Sequence, residues 1–398
     1  MSAGAPLAGV RVLTLENFGA GPFGSMYLAD LGAEVIKIEN RRQGGDSSRS
    51  MGPYFLGDHD SHYFQTFSLN KRSCTLNLKH PLGQAAFRRL AARSDAVLNN
   101  LRGDQPDALG LTYADLCAVN PKIVCAHLSA YGRDNERKDW PGYDYLMQAE
   151  AGYLYLTGEP GASPTRMGLS IIDFMTGITT ALALVSAVLG AQRTGIGCDV
   201  DVSLFDVALH QLSYPATWFL NEGQITERQP RSAHPVATPV QLFRTGDGWI
   251  FIMCMTERFW QELVQTVGDS ELGADPRFAT MALRRANHEA LTAALDALLM
   301  RDTTGRWLER FRSRLPAAPV NDIASALNDA YVRRLGMVRE TPHPNKADFR
   351  TLASPIKIDG RRAAANVCSP LGFDTDSVLR DAGLTDRELD ALRAADIL

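Results

Sequence analysis

Short apolar runs rich in β-branched residues alternate, along the first half of the chain, with longer stretches of helical period. Val10-Arg-Val-Leu-Thr-Leu15 reads as a strand. Gly19, Gly21 and Pro22 follow, then a helical pattern over Phe23 to Leu31 that ends at Gly32, and Glu34-Val-Ile-Lys-Ile38 reads as a second strand. Strand, glycine-rich turn, helix and strand within about 30 residues make a βαβ unit, which requires a parallel sheet. The alternation continues with strands over 73–78, 96–99 and 123–128. Helices are predicted over 81–93, with Pro81 suited to a first turn, and over 113–119. A long apolar helix over 172–192 closes at Thr194-Gly-Ile-Gly197, and a strand over 199–203 and a helix over 205–218 come next. The expected fold class is therefore α/β, a doubly wound sheet with helices on both faces.

The texture changes after the polar, proline-containing stretch 221–235. Pro239-Val-Gln-Leu-Phe243, the turn Gly246-Asp-Gly248 and the run Trp249 to Met253 predict an antiparallel hairpin. Helical patterns follow over 258–267, 287–300 and 304–312, so 225–320 is expected to form a smaller α+β domain. A strand over 335–339 and a helix over 386–395 lie in a tail that either domain could own on pattern alone.

Composition narrows the partners. Of 398 residues, 45% are hydrophobic and 22% charged, and the formal net charge is -4. That is ordinary for a soluble protein and leaves no electrostatic footprint for nucleic acid or an anionic membrane. The first residues lack the basic and apolar regions of a secretory signal. The most apolar stretch, 169–189, is interrupted by Asp173, Thr176, Gly177, Thr179 and Thr180. An aspartate is costly in a bilayer, so a buried helix of a soluble protein is expected there. Six cysteines (74, 117, 125, 198, 254, 368) show no CxxC spacing, and the histidines show no HExxH or HxH. No metal site is expected, and free thiols suit a reducing cytoplasm.

Three features carry candidate chemistry. Gly19-Ala-Gly-Pro22 opens a helix whose free N–H groups could hold an anion; we read it as a tight structural turn and not as a dinucleotide fingerprint. Asn40-Arg-Arg42 and Asn70-Lys-Arg72 lie at strand ends, where they serve either a phosphate-bearing ligand or solvent. Asp173 stands at the front of a nearly all-apolar helix. On pattern it fits a helix cap, favoured by the dipole; the other reading is a desolvated carboxylate able to act as a nucleophile.

Several motifs together resemble the class III CoA-transferases (the CaiB/BaiF group, which includes formyl-CoA transferase). They are Leu7-Ala-Gly-Val-Arg-Val-Leu13, Ala20-Gly-Pro22, Leu31-Gly-Ala-Glu-Val-Ile-Lys-Ile-Glu39, Asn70-Lys-Arg-Ser73 and Leu76-Asn-Leu-Lys79. Leu109-Gly-Leu111, Asn120-Pro-Lys-Ile-Val124, Arg193-Thr-Gly-Ile-Gly197, Ser203-Leu-Phe-Asp206 and Pro370-Leu-Gly372 continue the family's order to the end of the chain. The resemblance implies a Rossmann-like large domain built from 1–205 and 321–398, a linker helix over 206–224 and the small domain at 225–320. It also implies an interlocked, ring-like homodimer.

The resemblance further implies that coenzyme A passes from an acyl-CoA thioester to a carboxylic acid through a mixed anhydride and a CoA thioester on Asp173, without metal. Tyr143 and Asp144 match an aromatic and acidic pair near the nucleophile. Contacts to CoA carry over to Ala20, Leu76, Lys79, Asn100 and Leu101, with Arg41 near the nucleotide phosphates. The departures have consequences. Gly19 replaces a glutamine of the oxalate-linked enzymes, Ala108 a CoA-contacting arginine, and Asn40 another arginine for which Arg41 or Arg102 compensates. Met253-Cys-Met-Thr-Glu257 stands in place of a glycine-rich lid. These changes point away from formate and oxalate, toward a larger short dicarboxylate such as succinate, mesaconate or itaconate. A racemase acting on α-methylacyl-CoA shares the fold but pairs its aspartate with a histidine where this chain has Tyr143, and a tyrosine replaces imidazole poorly as an acid–base group. A non-catalytic CoA-binding protein is the third reading.

Overall fold

The computed structural model describes residues 4–398 and divides into two compact units. The first comprises residues 4–151, 167–212 and 331–398, the second 152–166 and 213–330. The segment 152–166 thus leaves the first unit, although the sequence reading keeps it within a continuous 1–205 domain.

Six parallel strands form the sheet of the first unit: β1 (Arg11–Leu15), β2 (Glu34–Glu39), β3 (Lys71–Thr75), β4 (Ala96–Asn99), β5 (Val124–Ser129) and β6 (Cys198–Ser203). Their spatial order is β3-β2-β1-β4-β5-β6, the Rossmann order, with its switch point between β1 and β4. Strand alternation sends the two sets of side chains to opposite faces. Leu13, Ile36, Val97 and Cys125 pack under the helices α2 (Pro81–Ala91), α10 (Thr375–Asp381) and α11 (Asp386–Ala394). Val12, Val35, Leu98 and Ala126 pack under α1 (Ala20–Asp30) and α4 (Ile171–Thr194). The tail therefore completes one layer of the first unit. Its strand begins later than the pattern predicts, at Val338–Glu340, because Ala330–Leu335 is helical.

Two helices meet backbone to backbone, and this contact governs the site. A Cβ on Gly24 would lie 2.3 Å from the Gly177 carbonyl, and one on Gly177 would lie 2.4 Å from that of Ala20. Gly19, Gly21 and Gly24 do have the G-x-G-x-x-G spacing, which corrects our sequence reading of that turn. The third glycine serves close packing, here of α1 on α4. Glu39, the acidic residue that such a fingerprint would place on a ribose, is instead buried and accepts from Arg49 Nε and Nη2, each at 2.8 Å.

Helix α4 is long and apolar enough to cross a membrane by length and composition. Its Ala181, Leu184, Val188 and Ala191 are packed against the sheet. The helix predicted over 205–218 is broken at Ser213, where φ is +54°, into α5 (Leu204–His210) and α6 (Ser213–Glu222).

The second unit is built on a three-stranded antiparallel sheet, β7 (Val240–Thr245), β8 (Gly248–Met253) and β9 (Ala317–Pro319). Helices α7 (Glu257–Val267), α8 (His288–Leu299) and α9 (Thr304–Phe311) cover its core of Phe243, Ile250, Ile252 and Trp260. Within Met253–Glu257 the Cys254 side chain is buried and Glu257 is paired to Arg284 at 2.6 Å.

Candidate active site

A cleft of about 900 Å³ opens at the carboxyl ends of the parallel strands, beside the switch point. Ligands bind at this edge of open α/β sheets. The glycine contact between α1 and α4 places the start of each helix against the other, one turn from the crossing. Asp173 lies in the first turn of α4, four residues before Gly177, and Gly19 immediately precedes α1. A Cβ on Gly19 would sit 2.9 Å from Asp173 Oδ2. Gly19 has φ −102°, so it is not its backbone conformation but the adjoining carboxylate that demands glycine.

Asp173 does not cap its own helix. That duty falls to Asp144, at the start of α3 (Asp144–Glu150), whose Oδ2 accepts from the N–H groups of Ile172 (2.6 Å) and Asp173 (3.1 Å). Gln148, one turn along α3, donates to Asp144 Oδ1 at 2.6 Å and accepts from Met167 N–H at 2.9 Å. The Asp173 side chain is thereby left to the cleft. Burial, joined by the nearby Asp144 carboxylate, pushes its pKa up to about 7. A carboxylate so desolvated is divided between its neutral and ionised forms near neutral pH, and the ionised form, poorly solvated, is the one that favours nucleophilic attack.

Of the other residues singled out from the sequence, Ala20, Leu76, Lys79, Asn100, Leu101 and Tyr143 all line the cleft. Tyr143 is 61% exposed, with its ring 6.1 Å from that of Phe18. Asp144 is buried behind the wall and reaches the site through the backbone of α4. Arg41 falls outside the cleft and lies beside Gly372 and Thr75. The cations on the cleft wall are Lys79 and Arg102. The basic pair Lys71-Arg72 is not available to a ligand. Lys71 is buried on Glu16 (2.8 Å), and Arg72 pairs with Glu34 and Asp374.

Sequence reasoning missed the floor of the cleft. Lys37 is buried beneath it, 2.7 Å from Asp46 and 3.6 Å from Glu16, and donates to the Glu16 carbonyl at 2.8 Å. Burial pushes the Glu16 and Asp46 carboxyls up, but Lys71 and Lys37 outweigh it for Glu16, and Lys37 with Ser48 for Asp46. Both are held below their usual values. Lys37 follows two apolar residues inside a strand, and charge there gives no sign of its partners. Among the described residues, no group of three His, Cys, Asp or Glu side chains is gathered to hold a metal ion.

Fold and cleft together define an α/β protein with a desolvated carboxylate at its ligand-binding edge. The family model for CoA-transferase family III matches residues 7–375. The acetyl-CoA:oxalate CoA-transferase of Acetobacter aceti is 34% identical over 325 residues, 81% of this chain and 82% of its own. The succinate–glutarate CoA-transferase of Agrobacterium fabrum is 32% identical over 343 residues, covering 83% and 84% respectively. A crystal structure of a CaiB/BaiF family protein from Brucella suis matches with a TM-score of 0.83 and 31% identity, over 96% of this chain and 100% of that one. The chain belongs to CoA-transferase family III and is an acyl-CoA:carboxylate CoA-transferase.

Proposed function

We propose that the protein transfers coenzyme A between short dicarboxylic acids by way of covalent intermediates on Asp173. The carrying observation is the Asp173 carboxylate, raised to about 7 and set on the cleft wall directly against Gly19. In this reading the carboxylate attacks the thioester carbonyl of acyl-CoA. The C–S bond breaks, leaving an aspartyl–acyl anhydride and the CoA thiolate. The thiolate then attacks the aspartyl carbonyl, forming an aspartyl-CoA thioester and releasing the donor acid. The acceptor carboxylate repeats the exchange in reverse and leaves with CoA, so Asp173 is regenerated and no proton or electron is consumed. Lys79 and Arg102 are the cations on the wall suited to the phosphates of CoA.

The choice of dicarboxylate is supported by relatives named for oxalate and for succinate with glutarate. The absent side chain at Gly19 leaves room beside Asp173 for an acid larger than oxalate. Incubation with succinyl-CoA and then hydroxylamine is expected to convert Asp173 into a hydroxamate, located by peptide mass spectrometry. An unmodified Asp173 in enzyme that turns over succinyl-CoA and glutarate would sink the covalent route.

The protein further acts, in our reading, as an interlocked homodimer in the cytoplasm. Ile178, Leu182 and Leu189 form an exposed apolar row along α4, which supports cover by a second copy. Six free cysteines suit a reducing compartment. Sedimentation equilibrium is expected to give twice the chain mass; a monomer at micromolar concentration would rule the dimer out.

A further inference from the structure

The turn that joins β1 to α1 is held in a costly conformation. Phe18 has φ +59°, the left-handed region that a bulky side chain seldom adopts. Such strain persists only where surrounding contacts over-determine it. Here they do so from two sides. Asn100 Oδ1 accepts from Asn17 N–H at 2.8 Å, and Asn100 Nδ2 donates to the Asn17 carbonyl at 2.8 Å. On the other side Asp46 Oδ1 accepts from Phe18 N–H at 3.1 Å, and Asn17 Oδ1 accepts from Ser47 N–H at 3.3 Å. Gly21 makes room for the clamp, since a Cβ there would lie 3.0 Å from Asn100 Cβ. The residue next to Phe18 is Gly19, which faces Asp173 Oδ2.

We infer that Asn100 is a positioning residue for CoA transfer: its side-chain amide clamps the Asn17 backbone and so fixes the strained Phe18–Gly19 turn against Asp173. The inference rests on reading Asp173 as the nucleophile, and it reassigns a side chain that the family resemblance gives to CoA binding. Both polar atoms of the amide are engaged with Asn17, and it is through these two bonds that the side chain holds the turn. Released from the clamp, Phe18 relaxes toward negative φ, and the Gly19 backbone moves with it relative to the carboxylate. A misplacement of about 1 Å near a reacting pair costs roughly 100-fold in rate.

The test compares Asn100→Ala and Asn100→Asp with the parent enzyme, using succinyl-CoA and glutarate. A lowered kcat, roughly 10- to 100-fold, is expected in both, with KM for succinyl-CoA within about threefold of the parent. Should Asn100→Ala not fold by circular dichroism, Asn100→Asp carries the test. It keeps the Cβ against Gly21 and the acceptor for Asn17 N–H, but sets a carboxylate oxygen against the Asn17 carbonyl. A raised KM with kcat retained would make Asn100 a CoA ligand and overturn the inference, as would parent-like kcat in both folded variants. Asp173→Ala, measured in parallel, reports on the nucleophile alone. Transfer surviving in it defeats the reading of Asp173 whatever the Asn100 variants do.

Discussion

Asp173→Asn is expected to lower CoA transfer on the order of 10⁴-fold while making the folded protein more stable above neutral pH. Asparagine keeps the shape and the place in the first turn of α4 but lacks the nucleophilic carboxylate needed to form an anhydride. The parent enzyme should lose kcat as pH falls through about 7, because attack needs the ionised form. Stability runs the other way. Asp173 has its folded pKa raised from 3.8 to about 7, so its contribution is fully present below the unfolded value and is lost as pH rises to the folded one. Against neutral asparagine, the parent therefore loses ground between about pH 4 and pH 7 and no further beyond. Differential scanning calorimetry at pH 5 and pH 8 checks this, and the Tm gain of Asp173→Asn over the parent should be a few degrees larger at pH 8 than at pH 5. An equal Tm difference between variant and parent at both pH values would show that Asp173 is not desolvated, and undiminished turnover would remove it from the mechanism.

Lys37→Met should cost about 3–5 kcal/mol and lower Tm by roughly 10 °C. The ammonium is fully buried between Asp46 and Glu16, and methionine fills the volume without the charge. Glu16 retains Lys71 at 2.8 Å, but Asp46 loses its cation. The two carboxyls are held below their usual values, so their contribution is present at neutral pH and disappears as pH falls through the folded values. The deficit of Lys37→Met should accordingly shrink in acid. The surface pair Arg42–Asp396, more than half exposed on both sides, supplies the control: Arg42→Ala should change stability by less than about 1 kcal/mol. Equal melting of the two variants would mean that the buried charges do not hold the floor of the cleft.

These two residues mark the limits of what the chain discloses in one dimension. The sheet was legible because Val12 and Leu13, or Val35 and Ile36, alternate between two covered faces, and because turn glycines punctuate the runs. Asp173 was visible as a charge in an apolar helix, and the family motifs gave it a role. Its cap was not visible, since Asp144 lies 29 residues away and the bond runs to a backbone N–H. Nor was the fate of the basic residues. Lys71 is read in sequence as a cation awaiting a ligand or water, yet it is neutralised by Glu16, which follows β1 and reaches β3 past β2 in the order β3-β2-β1. Lys37, which the sequence reading passed over, is buried between Asp46 and Glu16. Periodicity reports which face a residue occupies; it says little about which charge it meets there.

The divided course of the first unit bears on how the chain is made. Helices α10 and α11 complete the layer over β1, β2 and β3, and they are translated after every residue of the second unit. During synthesis residues 213–330 therefore leave the ribosome before the first unit is complete. The sheet that precedes them must wait, with the layer over Leu13, Ile36 and Cys74 only partly built by α2, until residues 375–394 emerge. Nascent chains of this protein should thus depend on holding chaperones for the time needed to translate the intervening segment, which at about 5–20 residues per second amounts to many seconds.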